Sequence, residues 1–182
     1  VRDYTLQKQR SDALINSEQR FASLFQLNPD IVMLVRLTDD SLIEVNQHFE
    51  HSLGWSAEEA IGCSCDTLNI WVHDSEQQYL KRAIAEVRAP IVQQVQLRTR
   101  SGDILDGVLS SQYLELENQP FMLSSFTDTS QQKRAEEALR ISEEKFSKAF
   151  QYSPDAVVIT NLGTGRFVEV NPSFERRFGW SK

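Results

Sequence analysis

Glu44-Val45-Asn46-Gln47-His48-Phe49-Glu50-His51-Ser52-Leu53-Gly54-Trp55-Ser56 is the stretch on which the fold turns, because it returns 125 residues later as Glu169-Val170-Asn171-Pro172-Ser173-Phe174-Glu175-Arg176-Arg177-Phe178-Gly179-Trp180-Ser181. Extending the match outward sets Ser17–Ala57 against Ser142–Lys182 and gives 17 identities in 41 pairs, where composition alone gives roughly two or three. Phe21/Phe146, Phe25/Phe150, Pro29/Pro154 and Asp30/Asp155 are among them. The unit is written twice, and the second copy reaches about a third of its length at Lys182, so the sequence reads as a piece of a longer array.

Local chemistry assigns elements to the repeated unit. Asn46 stands where a helix starts, and Asn171 is followed by Pro172, which suits a first helical position because its missing N–H has no helical partner there. Ser56-Ala57-Glu58-Glu59 has capping-box spacing. Ile31–Leu37 and Leu42–Val45 are short apolar runs around a Thr38–Ser41 turn, and in the second copy Gly163-Thr164-Gly165 fills the turn. Asp74 opens a longer helix through Val87, with Leu80, Ala83, Ile84 and Val87 on one face. Three strands follow, Ile91–Arg100, Ile104–Leu116 and Pro120–Thr127, separated by Ser101-Gly102-Asp103 and Glu117-Asn118-Gln119.

Helices flank this order at both ends. Residues 1–28 lack Gly and Pro, and Leu14, Ile15, Phe21, Leu24 and Phe25 fall on one face of an amphipathic helix. A Thr129-x-x-Gln132 capping box starts a charged helix over residues 131–150. Its stripe of Ala135, Ala138, Leu139, Ser142, Phe146 and Ala149 has a period near 3.5, which leaves two readings open: a dimeric coiled coil, or a single helix packed on its own domain.

Bulk properties exclude several classes of function. With 40% hydrophobic and 25% charged residues, the composition is that of a soluble globular protein, and the apolar run Ile31–Val35 is far too short to cross a bilayer. A net charge of −7 gives no basic footprint for nucleic acid. Cys63 and Cys65 are the only cysteines, which fits a reducing, cytoplasmic setting, with one thiol buried and the other half-exposed. No His, Asp, Glu or Ser cluster has catalytic or metal-ligating spacing; Asp39-Asp40 and Glu58-Glu59 read as turn and cap carboxylates.

Helix, two strands, a helical stretch and a three-stranded meander resemble the PAS domain. Its landmarks are similar too: Asn28-Pro29-Asp30, Glu44-Val45-Asn46, the segment Gly54–Gly62, Val72-His73-Asp74, Ser101-Gly102-Asp103 and Phe126-Thr127-Asp128-Thr129-Ser130. The family often has Pro where Asp74 follows His73, and His73 itself reads as a loop residue holding that turn rather than a ligand or base. The resemblance implies an α+β fold with a five-stranded antiparallel sheet and flanking helices. It implies PAS units over residues 17–130 and 142–182, joined by a helical linker over 131–150. It also implies a non-catalytic sensor working as a homodimer, with Asp128, Thr129 and Ser130 relaying a change to the linker and onward to an output domain, a histidine kinase or an enzyme of cyclic-di-GMP turnover.

The same resemblance allows cofactor classes to be tested residue by residue. Against the flavin photoreceptors, Gly62–Asn69 puts Cys65 at the adduct-forming position. However, Asp66 replaces the arginine that meets the flavin phosphate, and Leu97 and Gly107 stand where asparagines should meet the ring. Redox relatives carry Trp and Asn where Ile91 and Leu97 stand. Haem relatives need a histidine near Gln78, and the long helix has none. Flavin and haem are therefore disfavoured for the first unit, and the second stops before these positions. The expected pocket is lined by Leu68, Leu80, Ile84, Val95, Leu97, Leu109 and Leu123, holding either a small metabolite or only its own packed side chains.

Overall fold

The structure, a computed structural model, describes residues 19–20 and 22–179. The chain divides into two compact units, Val1–Ser130 and Gln131–Lys182. The expected helix over residues 1–28 lies largely outside the described residues; within them, residues 22–26 are helical, with Phe25 buried and Leu24 exposed.

In the first unit β1 (Ile31–Arg36) and β2 (Leu42–Val45) form a hairpin, followed by α1 (Gln47–Leu53), α2 (Ala57–Ala60) and α3 (Asp74–Val87). Then β3 (Ile91–Arg98), β4 (Ile104–Leu116) and β5 (Gln119–Asp128) complete a five-stranded sheet in the order β2-β1-β5-β4-β3. All its pairings are antiparallel. The first and last strands are thus neighbours at the sheet's centre, with Ile31 opposite Phe126. Glu117 and Asn118 both take left-handed backbone (φ 50° and 61°) between β4 and β5, the twist a two-residue hairpin loop needs.

Side chains alternate across the strands. Ile31, Met33 and Val35, Val95 and Leu97, Leu109, and Met122 and Phe126 turn to one face, where Phe49, Leu53, Leu68, Ile70, Leu80 and Ile84 close the core. Gly107 is required on that face: a Cβ there would lie 2.2 Å from Cζ of Phe126, so only glycine leaves room for the ring.

The Gly-Trp-Ser landmark has a local cause. Gly54 ends α1 in left-handed backbone (φ 82°), and Ser56 and Glu59 form the expected capping box on α2. Arg100 lies 4.6 Å from the centroid of the Trp55 ring and grips both Glu59 oxygens at 2.8 and 3.0 Å. Glu59's bonds from the Ser56 backbone and hydroxyl, then Arg100, hold its carboxyl below the usual range.

Asn46 caps α1 by accepting from the Phe49 N–H at 3.0 Å, but the same oxygen also accepts from the Val32 N–H at 3.0 Å. Its amide nitrogen donates to the carbonyls of Asp30 at 2.8 Å and Asn28 at 3.3 Å. Both ends of a fully buried amide are thereby satisfied.

The second unit contains most of α4 (Ser130–Tyr152), the pair β6 (Val158–Thr160) and β7 (Phe167–Val170), and α5 (Pro172–Phe178). Asn171 repeats the pattern of Asn46, accepting from Val157 and Phe174 N–H groups and donating to Asp155 and Phe150 carbonyls.

Candidate functional site

Six of the seven expected pocket residues, Leu68, Leu80, Ile84, Val95, Leu97 and Leu109, meet in the core between sheet and α3. Leu123 does not. It lies opposite Leu34 and Gln112, while its neighbours Met122 and Ser124 face the core. The correction follows from the two-residue period: Ser124, not Leu123, is the inward residue, and its hydroxyl is paired with that of Ser111 at 2.7 Å.

One space inside, of about 10 Å³, is bounded by residues that include Met33, Leu109, Met122, Ser124 and Gln77, about the volume one water occupies. Beyond it lies a cleft of about 290 Å³ at the start of α3. Cys65, Trp71, Gln77 and Lys81 border both spaces and so form the wall between them.

Lys81 is the charged part of that wall. Its ammonium lies 2.9 Å from Asp40 in the β1–β2 turn and 3.7 Å from Asp66 before α3. Gln77 is 3% exposed and borders both spaces. Burial pushes the neighbouring Cys65 thiol up to about 12, whereas Cys63 is half-buried. Sequence reading missed Lys81 and Gln77; the available signal was that Gln77, Leu80 and Ile84 share one helical face.

At the far end of β5 the expected relay residues converge on β4. Thr129 donates from its N–H at 2.8 Å and its hydroxyl at 3.2 Å to the Asp106 carbonyl. The Ser130 hydroxyl accepts from the Asp106 N–H at 2.9 Å, and Asp128 accepts from the Ser130 N–H at 2.8 Å. The expected Thr129 capping box is corrected here: its hydroxyl is committed to the strand because β4 runs alongside. Asp106, absent from the sequence reading, is the hub, and Gln96 on β3 reaches its carboxylate at 3.3 Å.

The family model described as PAS domain matches residues 19–87 and again residues 144–181. The chain belongs to the PAS domain family.

Its PAS sequence is 28% identical over 187 residues to sporulation kinase E of Bacillus subtilis; that match takes in all of this chain but 24% of the kinase. Among solved structures, the PAS domain of an HTR-like protein from Haloarcula marismortui is similar at 22% identity, covering 66% of this chain and 98% of that one with a TM-score of 0.58. The Rhodobacter sphaeroides LOV protein is similar at 13% identity, covering 68% and 73%, with a TM-score of 0.55. These two likenesses show the fold. The chain is a sensory PAS segment; the described residues hold no group of side chains that would ligate a metal and no helix long and apolar enough to cross a membrane.

The residues present in this PAS core do not fit a flavin or a haem. Leu97 is fully buried at one strand position that would meet a flavin ring, and at the other, Gly107, the adjoining space is filled by the Phe126 ring. On α3, Gln77 points inward while Gln78 is exposed on the outer cleft, and the helix has no histidine.

Proposed function

We propose that residues 17–130 are the sensory PAS unit of a signalling protein and that α4 carries its state to a second PAS unit beginning near residue 142 and then to a histidine-kinase-type output. The observation that supports this most directly is the Asp106–Thr129–Ser130 network, which ties the first turn of α4 to β4 inside the sheet. A change in the sheet's spacing at β4 is then a change in where the helix starts. The full-length match to a segment of a sporulation kinase favours kinase output over cyclic-di-GMP turnover.

α4 leaves Leu139 and Phe146 exposed along the stripe read from the sequence. We infer that a second copy of this helix covers it, forming a parallel pair through which a shift in helical register travels. The competing reading, a constitutive dimerisation spacer, is favoured by the small interior cavity.

The deciding experiment replaces Asp128 by Ala in the parent protein and follows its output. Loss of regulated output with an unchanged melting profile of the first unit supports the relay. Regulation equal to that of the parent refutes it.

A further inference from the structure

The cleft at the start of α3 has two layers of different chemistry. Its floor is buried: Cys65, Trp71 and Gln77 are each at most 6% exposed, with the Lys81 ammonium beside them. Its rim is exposed and carries Asp66, Asp74, Asn69 and Gln78. Gln77 brings an amide, able both to donate and to accept, to the border of the cleft.

Charge decides what kind of group belongs at each level. Lys81 has three hydrogens to donate, one of them committed to Asp40 at 2.9 Å and a second facing Asp66 at the longer 3.7 Å. It retains a donor for an acceptor on the floor. Outward, Asp66 and Asp74 present carboxylates. Of the charged groups around the space, Asp66, Asp74 and Lys81 line it, Asp40 pairs with Lys81 from behind, and Arg98 reaches its rim through Asn69 at 2.5 Å. The site is close to neutral but polarised, positive within and negative at the rim. A lone anion must pass two carboxylates, and a lone cation must approach Lys81; a molecule carrying both charges meets each with its opposite.

We propose that this cleft binds a small zwitterion of the α-amino-acid type, its carboxylate turned inward onto Lys81 and Gln77 and its ammonium outward onto Asp66 and Asp74. The proposal rests on the sensory reading above and names its ligand. The volume of about 290 Å³ admits such a molecule with a short aliphatic side chain against Trp71. Because Lys81 joins α3 to the β1–β2 turn through Asp40, a ligand carboxylate drawing on the same ammonium alters a contact between the helix and the sheet.

Three matched probes test the charges: norleucine, hexanoate, which lacks its ammonium, and pentylamine, which lacks its carboxylate. The melting temperature of the full 182-residue chain is measured against increasing concentrations of each at constant ionic strength. Norleucine raises it by mass action, and each single-charge analogue binds at least about tenfold more weakly. Lys81→Met abolishes the norleucine response. Asp66→Asn weakens it about tenfold and, because Asp66 is exposed, leaves the unliganded melting temperature in place as the folding control. No response to norleucine, an equal response to hexanoate, or a response surviving in both variants overturns the proposal. The sensory reading is judged separately by Asp128→Ala: if output regulation still depends on Asp128 while norleucine is silent, only the ligand class falls.

Discussion

The amide nitrogen of Asn171 donates to the carbonyl oxygen of Phe150 at 3.0 Å, so the last turns of α4 are hydrogen-bonded to the same side chain that caps α5. Asn46 likewise donates to two backbone carbonyls, those of Asn28 and Asp30. An Asn→Asp replacement separates the two roles, since the carboxylate keeps the accepting oxygen and loses both donors. Asn46→Asp should cost about 2 kcal/mol in chemical denaturation by setting an oxygen against two carbonyls. The exposed turn change Asn118→Asp should cost little. Equal effects from the two replacements would mean that the donor contacts contribute nothing.

Gly107→Ala should destabilise the first unit by about 2 kcal/mol, because its Cβ would approach the Phe126 ring at 2.2 Å and the Thr127 carbonyl at 2.5 Å. Pairing it with Phe126→Leu should recover part of that loss. A Gly107→Ala protein that melts where the parent does would show that the sheet yields more easily than its packing suggests.

The two thiols should separate by environment. In the native protein at pH 8, Cys63 should react with a disulfide reagent well before Cys65, which becomes reactive on unfolding. The Cys65 thiol is raised from 9.0 to about 12 by burial, so the unfolded chain loses this proton first. The thiol's stabilising contribution is complete below pH 9 and declines as pH rises from there toward 12. Cys65→Ala should flatten that decline; an unchanged alkaline profile would contradict it.

Ser130→Ala removes the hydroxyl that accepts from the Asp106 N–H. Amide exchange at Asp106 and across the first turn of α4 should accelerate about tenfold, while Leu109 and Phe126 keep their protection. Equal acceleration throughout β4 and β5 would mark Ser130 as a general support of the sheet.

Fold and landmarks were legible because periodicity and capping are local. Asn46 could be read as a cap from its neighbours, but its ties to Asn28 and Asp30 depend on chain brought back by the hairpin. Leu123 shows why the pocket was harder. In Phe121-Met122-Leu123-Ser124-Ser125-Phe126, Leu123 looks inward and Ser124 looks outward until Ser111 is placed across from Ser124. The hydroxyl pair satisfies itself in the core, and that partner lies on another strand. The Lys81 cleft was hidden for the same reason, since Asp40, Asp66 and Lys81 come from three separate segments.

Because β1 and β5 lie side by side with Ile31 against Phe126, the chain enters and leaves the first unit at one place. Ser125 even donates to Asp30 at 3.2 Å across that seam. A module with its two ends together can be spliced into a longer polypeptide, or copied behind itself, without stretching either end around the body of the fold. Gene duplication then needs to supply little more than a connecting helix.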